Sequence, residues 1–512
     1  MSKFDNELSE YANLIEKIGK TRITQTQNLS EKLIINEVSY WDIFSAEMAW
    51  RHLTTASSIK SPWQLIKYLM KLRLIIFREW FKRFVIKRRF KGNFNKDIPP
   101  NSIIFLAFMP RMYIDVIYPL IMTIAKEEKI NIVVLKDGTG QEGIFKELPG
   151  VIYRDIWSFW DKDLENESNN LKKVVKKVTQ GLVSKIKNSE AKKYLINKHG
   201  KALELSLKSL LTSQLPLILE KVTISRNILS KYNPQLIISP DNSDARTRLY
   251  KIIGKKMGIP SLDIQFGLTG PSGVEWRFFI ADKVAVWGES SKKELINHGI
   301  NKEKIIITGS PRHDCILFPN KKSKEMLNKK YQIKREGPVV LFASTYTDKT
   351  HFMFSNPNVL NDMKKAIFDA AKKYSNITLL VKPHPVEKNN AYYNLGLNIK
   401  NIILVDKEED MTPLIHISDY FISFGSTASI DALIAKKNSI CPIFPGWPFS
   451  NFFEKSKVVH IPKSRKDVIN LFSKIVDNSL DTIGNKYFLK KHVYKNDGMS
   501  SQRIKRLILD LI

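Results

Sequence analysis

Cysteine is almost missing from this chain. Cys315 and Cys441 are the two in 512 residues, which excludes a disulfide framework and a Cys-rich metal site and fits a reducing compartment. Long apolar runs are missing too: no stretch approaches the roughly 20 apolar residues that span a bilayer. The amino terminus, Met1-Ser2-Lys3-Phe4-Asp5-Asn6-Glu7, lacks the basic start and apolar run of a signal peptide. The chain is therefore expected to stay where it is made, in the cytoplasm. No internal repeat recurs, no His/Cys/Asp cluster has metal-ligand spacing, and no Gly-x-x-x-x-Gly-Lys-Ser/Thr loop is present. Neither a metal nor a cofactor is expected.

Acids are scarce relative to bases. There are 51 Asp and Glu against 82 Lys and Arg, a formal charge of +31. Such an excess attracts nucleic acid, an acidic lipid surface or a phosphorylated substrate. Nucleic-acid binding would need a known module, or basic residues interleaved with aromatics on a sheet. Neither occurs, so nucleic acid is not expected as a partner. The excess peaks between Lys60 and Lys91, with eleven Lys/Arg and one acid, Glu79. That segment reads as one long amphipathic helix over 62–90. Leu65, Leu69, Leu72, Ile76, Trp80 and Phe84 share a face, Lys67, Lys71, Arg78, Lys82 and Arg89 lie opposite, and Arg73 and Arg83 intrude on the apolar side. Two readings are open: a helix lying on an anionic membrane surface, or one packed by its apolar face on the protein body.

What is abundant is buried-strand material. With 43% hydrophobic residues, the chain has enough for two or three domains. Short apolar runs at 102–107, 130–135, 235–240 and 261–265, then at 284–287, 305–308, 339–343, 377–381, 402–405, 420–423, 439–443 and 458–461, alternate with helical patterns such as 116–128. This is the signature of parallel sheets covered by helices. The expected fold class is α/β, two Rossmann-like domains facing a cleft, with an N-terminal helical extension. The expected boundaries are 1–100 for the basic helical region, 101–283 for the first domain with a helical insertion near 160–230, 284–490 for the second, and 491–512 for a C-terminal helix. In open α/β sheets ligands bind beyond the carboxyl ends of strands, so chemistry is expected at those ends.

Four constellations stand there. Lys382-Pro383-His384-Pro385 follows a strand, and its two prolines stiffen a turn that carries a cation and a hydrogen-bond donor, a pairing suited to a departing phosphate. Gly425-Ser426-Thr427-Ala428-Ser429 follows the next strand but one and opens a helix, with Asp431 one turn in; small capping residues at a helix start can hold an anion, and Asp431 can take ribose hydroxyls. Gly309-Ser310-Pro311-Arg312-His313-Asp314 offers Ser310 and Arg312 to a phosphate, or an Arg/Asp pair that fastens the turn. In the first domain Asp241, after a strand, is the best-placed candidate to take a proton from an acceptor hydroxyl, with Asp115 after Pro110-Arg111 and Asp137 before Gly138 as alternatives; each aspartate could instead cap a helix. Asp161-Lys162-Asp163 has metal-site spacing but sits in a charged polar stretch and reads as solvated surface.

In this order, Gly258-Ile259-Pro260, Gln265-Phe266-Gly267, Val286-Trp287-Gly288, Thr308-Gly309-Ser310-Pro311-Arg312, Lys382-Pro383-His384-Pro385 and Gly425-Ser426-Thr427-Ala428-Ser429 with Asp431-Ala432-Leu433 resemble bacterial surface-polysaccharide transferases of the GT-B fold. These include CDP-glycerol glycerophosphotransferases, capsular Kdo transferases and His-Pro-motif sialyltransferases. The resemblance covers about 230–450. It implies a metal-independent transferase that moves a sugar or polyol phosphate from a CMP- or CDP-type donor to a glycan or lipid-linked glycan. It implies that His384, Ser426 and Thr427 contact the donor phosphates and Asp431 its ribose, and that the enzyme works peripherally on the inner face of the cytoplasmic membrane. One departure stands out: relatives carry Gln-His-Gly where this chain has Gln265-Phe266-Gly267. A sugar-nucleotide epimerase of the same layout and a non-catalytic polysaccharide assembly or export protein remain as alternatives.

Overall fold

The computed structural model describes residues 3–57, 61–90, 97–126, 130–138, 145–318, 321–333, 336–345, 357–384, 387, 392, 395, 399–447 and 451–512. Pro385, and the end of the expected 116–128 helix, lie outside them. The chain divides into two compact units, residues 1–311 with 500–512, and residues 312–499.

In the first unit, helices α1 (Lys3–Lys20) and α2 (Tyr40–Ser57) pack on each other, and α3 (Pro62–Arg89) follows. Next come β1 (Ser102–Leu106), β2 (Asn131–Lys136) and β3 (Ile152–Asp155), then a helical insertion with α4 (Lys162–Thr179) and α5 (Leu215–Tyr232). The unit continues with β4 (Leu236–Ser239), α6 (Ala245–Lys256), β5 (Ser261–Ile264), β6 (Lys283–Val286), α7 (Glu289–Asn297) and β7 (Ile305–Ile307). Among the described residues the strands form one parallel sheet in the order β3-β2-β1-β4-β5-β6-β7. Both faces are covered, which is why β1 and β4 are buried at every position and read as unbroken apolar runs.

Two expectations change here. The strands near 284 and 305 belong to this first sheet, since Asp263 pairs with Val284 and Ala285 with Ile306. The second unit therefore starts at 312, not 284; alternating β and α elements do not reveal on which sheet a strand lands. The C-terminal segment also divides. Lys486–His492 stays with the second unit, whereas α11 (Ser500–Leu509) returns to the first and buries Ile504 and Ile508 in the same cluster as Ile103, Phe105 and Leu262. Gly309, at φ +82°, lies where a Cβ would strike Ser500, so this return requires glycine.

The second unit holds β8 (Val339–Ala343), α8 (Pro357–Lys373), β9 (Thr378–Lys382), β10 (Ile402–Leu404), β11 (Tyr420–Ser423), α9 (Ala428–Ile434), β12 (Asn438–Ile440) and α10 (Arg465–Val476). Its described strands form a parallel sheet ordered β10-β9-β8-β11-β12. The run at 458–461 contributes one isolated bridge, from Ile440 to His460. Each unit thus has Rossmann-like winding, and its order reverses at a switch point, between β1 and β4 in the first and between β8 and β11 in the second. The chain has the α/β class expected of it, with a helical N-terminal region.

Helix α3 departs from the reading in which its apolar face packs on the protein body. The side chains of Leu65, Leu69 and Leu72 lie outside the described set, but Trp80 and Phe84 are exposed, with Trp63, Ile66, Met70, Leu74, Phe77 and Phe81. Trp63 is 68% exposed and Trp80 57%, values that matter because a monomeric surface rarely leaves such a contiguous patch in water. What holds the helix is its last turns. Arg83, read as an intruder on the apolar side, is buried and donates to Glu220 and the Leu217 carbonyl, Ile86 is buried, and Lys87 pairs with Glu220 at 3.0 Å and lies over the Trp160 ring at 4.0 Å.

Candidate active site

In the second unit two turns leave the sheet at the same level. Ala343 of β8 pairs with Lys382 of β9 on one side and with Ser423 of β11 on the other. His384 and the Gly425-Ser426-Thr427 turn therefore emerge two strand spacings apart, about 10 Å, on either side of the segment that follows β8. That is the carboxyl end of the sheet, at its switch point. Gly425 takes φ +88°, a conformation open to glycine without cost, and this swings the chain so that Ser426 is exposed and Thr427 half-buried. The Ser426 Oγ accepts from the Ala428 N–H at 3.3 Å. Helix α9 has seven residues, so the hydroxyls and the turn, rather than a long helix dipole, are what this edge offers an anion.

His384 is half-buried. Its backbone N–H donates to Glu387 Oε2 at 2.8 Å, and the Glu387 N–H donates back to the His384 carbonyl at 2.8 Å. The Glu387 carboxylate also accepts from the Tyr392 hydroxyl at 2.7 Å and from Lys364 of α8. The sequence reading missed Glu387, although an acid three residues after His384 was a signal available to it.

Several expected ligand contacts are instead fastenings. Lys382 is buried and donates to the Lys407 and Asp406 carbonyls. Ser429 is buried and its Oγ lies 2.7 Å from Ser423 Oγ. Ser310 is buried as well. Asp431, expected on a ribose, is gripped by Arg312, expected on a phosphate: Nε lies 2.9 and 3.2 Å from the two carboxylate oxygens, and Nη2 adds a further close contact. The Arg/Asp alternative was right in kind but named the wrong acid. Burial explains the pairings of Lys382 and of Arg312 with Asp431, because a buried charge persists only when paired; the buried Ser310 hydroxyl has no hydrogen-bond partner among the described residues.

His313, beside this pair with Nε2 3.8 Å from Asp431 Oδ1, is held down to about 3 by burial, with the Arg312 charge adding to it. A histidine whose folded value lies below its unfolded one binds fewer protons folded than unfolded, so its contribution is intact above about 6.5 and is lost as pH falls toward 3. Unfolding followed from pH 7 to 4 should show that loss, and His313→Gln should flatten it; an unchanged profile would show that another group titrates.

In the first unit Asp241 stands just past β4, at the switch point. Its Oδ1 accepts from Ser243 N (2.7 Å), Ser243 Oγ (2.8 Å) and Asp244 N (3.1 Å), and among the described residues Oδ2 accepts none. Burial, then the neighbouring Asp244 charge, raises its pKa. Glu275, which sequence reasoning also missed, is pushed up to about 7 by burial, with the Asp241 charge adding. Asp137 is not available to an acceptor. Its carboxylate has no exposed surface and holds Lys221 (2.6 Å), Arg246 (3.1 Å) and the Trp157 indole (2.9 Å). Asp115 is tied to Arg111 at 2.8 Å. At the departure from the relatives' motif, Gln265 accepts from the Trp287 N–H and donates to the Gly267 carbonyl, while Phe266 packs on the core. Position 266 supplies no proton carrier. Asp161 caps α4 through the Leu164 N–H; among the described residues no group of three His, Cys, Asp or Glu is placed to hold a metal.

The fold and these strand ends define a two-unit α/β protein of the GT-B class. Within it, residues 289–443 match the family model described as CDP-Glycerol:Poly(glycerophosphate) glycerophosphotransferase; this is less than a third of the chain, and it includes Arg312, His384 and the 425–431 turn. The resemblance read from the motifs is thereby found again in that segment. No curated protein matches. Among solved structures, a UDP-N-acetylglucosamine 2-epimerase aligns with a TM-score of 0.51 at 10% identity, covering 81% of this chain and 96% of that one. The wall teichoic acid polymerase TagF aligns with a TM-score of 0.49 at 13% identity, covering 88% and 98%. The UDP-GlcNAc 2-epimerase of Neisseria meningitidis, bound to UDP-GlcNAc, aligns at 0.48 and 13%, covering 80% and 99%. At such identities the likeness speaks to the fold alone.

Proposed function

We propose that this chain transfers a sugar or polyol phosphate from a CMP- or CDP-activated donor to a growing bacterial surface glycan, free or lipid-linked. The observation that carries the reading is the level emergence of the His384 and Ser426/Thr427 turns at one switch point, inside the segment matched by a glycerophosphotransferase model. In the proposed reaction the acceptor hydroxyl gives its proton to Asp241, whose raised pKa suits a base. Its oxygen bonds to the donor's anomeric carbon, or to phosphorus for a polyol phosphate. The bond to the nucleotide breaks, and the nucleotide leaves with the electron pair. His384 and the hydroxyls of Ser426 and Thr427 meet the charge that grows on the departing phosphate. The donor is a substrate, and the reaction as proposed draws on neither metal nor cofactor. The enzyme works at the inner face of the cytoplasmic membrane, held there by α3.

The test is a thermal-shift series with CMP, CDP, UDP and GDP. A ligand at a hundred times its Kd adds about 2.7 kcal/mol. CDP or CMP should raise Tm by several degrees in the wild type and by much less in His384→Ala. A shift with UDP alone would replace the donor class, and none with any nucleotide would end the reading. Turnover of a sugar nucleotide without acceptor would favour the epimerase.

A further inference from the structure

Holding a histidine at a strand end is a loop problem. The prolines of the turn after β9 remove backbone donors that would otherwise tie it down. The His384 N–H is one donor that remains, and it is spent on the Glu387 carboxylate at 2.8 Å rather than on solvent. That carboxylate is itself anchored from outside the turn. Lys364 reaches it from α8, the Tyr392 hydroxyl donates to it at 2.7 Å, and the Ser344 hydroxyl, on the segment that follows β8, lies 3.4 Å away. Glu387, Lys364 and Tyr392 are all buried. Burial works against the Lys364 ammonium and lowers its pKa, and the Glu387 charge opposes that shift. A buried ion pair is a poor way to gain stability and a good way to fix one geometry. Here the geometry fixed is the backbone that carries His384.

We infer that Glu387, backed by Lys364 and Tyr392, is the positioning residue that holds His384 against the donor phosphate. The inference rests on the proposed function, since it gives His384 a ligand. Glu387 touches no reacting atom; it acts through the main chain of His384.

The experiment is a double-mutant cycle read as CDP affinity by calorimetry on the full chain. Glu387→Ala should weaken CDP binding roughly tenfold, the size expected when one hydrogen bond to a charged group is lost. In the His384→Ala background the same change should cost little, because no imidazole is left to misplace. A merely structural role would give equal losses in both backgrounds. Glu387→Ala leaves a buried ammonium without its partner and is open to misfolding, so Lys364→Met/Glu387→Leu is carried alongside. It removes both charges, a change that buried pairs tolerate, and it too should bind about tenfold more weakly, again only while His384 is present. Equal losses in the two backgrounds, or wild-type affinity in these variants, would overturn the inference while the donor reading stands. Wild-type protein that binds neither CDP nor CMP, or that binds them as well after His384→Ala, takes both down.

Discussion

Arg312→Ala should destabilise the unit of residues 312–499 by about 3–5 kcal/mol, the usual consequence of stranding one member of a buried ion pair. The pair's side chains are 10% and 3% exposed, and the guanidinium is the two-pronged partner of Asp431. Without it, a carboxylate on α9 is left in a setting where water does not reach it. Arg312→Met/Asp431→Leu should recover most of the loss, because it removes both charges and fills the space with apolar atoms. Urea unfolding measures the effect as a change in midpoint at constant slope. Arg312→Ala within 1 kcal/mol of wild type would mean that the pair is not desolvated. Nucleotide affinity separates this account from the ligand-contact reading of the same residues. If Asp431 fastens, Asp431→Asn weakens the unit while folded protein binds CDP normally; if it holds a ribose, affinity falls at unchanged stability.

The same pair shows where sequence reading succeeds and where it stops. The strand runs were legible because a strand covered on both faces has to be apolar along its whole length, as β1, β4 and β8 are. The β3 strand, Ile-Tyr-Arg-Asp, was not, because it is half-buried at the sheet's edge and mixes polar with apolar residues. Motif positions were legible for the turns, since glycine and proline mark them. Side-chain destinations were not. Arg312 and Asp431 stand 119 residues apart, and only folding brings them together; likewise Lys221 and Asp137. A polar residue at a strand's carboxyl end is there either to meet a ligand or to keep the end in shape, and burial decides which. By that measure Lys382, Ser429, Asp431 and Asp137 shape the ends, while His384, Ser426, Thr427 and Asp241 stay at or near the surface.

Helix α3 should bind anionic vesicles, and it should do so through two separable terms. One is apolar. Trp63, Ile66, Met70, Leu74, Phe77 and Phe81 follow helical spacing and are exposed, while Trp80 stacks between Phe77 and Phe84 at about 6 Å centroid separation on either side. Those side chains gain nothing from water and would gain from the acyl boundary. The other term is charge. Lys67, Arg73, Arg78, Lys82, Arg88 and Arg89 are exposed on the same helix, and a basic residue near an anionic surface contributes about 1 kcal/mol. Replacing Lys67, Arg73, Arg78 and Lys82 with Gln should therefore weaken binding to phosphatidylserine vesicles between a hundredfold and a thousandfold, at about 1.4 kcal/mol per factor of ten. The wild type should also lose affinity as salt rises, because exposed charges are screened beyond about 10 Å at 0.1 M. Serine at Trp63, Phe77, Trp80 and Phe81 should remove the part of binding that salt leaves behind. Neither set disturbs the anchor of Arg83, Ile86 and Lys87 on Glu220 and Trp160, so thermal unfolding should not change. Cosedimentation with vesicles lacking and containing phosphatidylserine reads both terms. Wild-type protein left in the supernatant with both kinds would show that α3 covers something other than lipid, and the transfer reaction would then have to be placed away from the membrane.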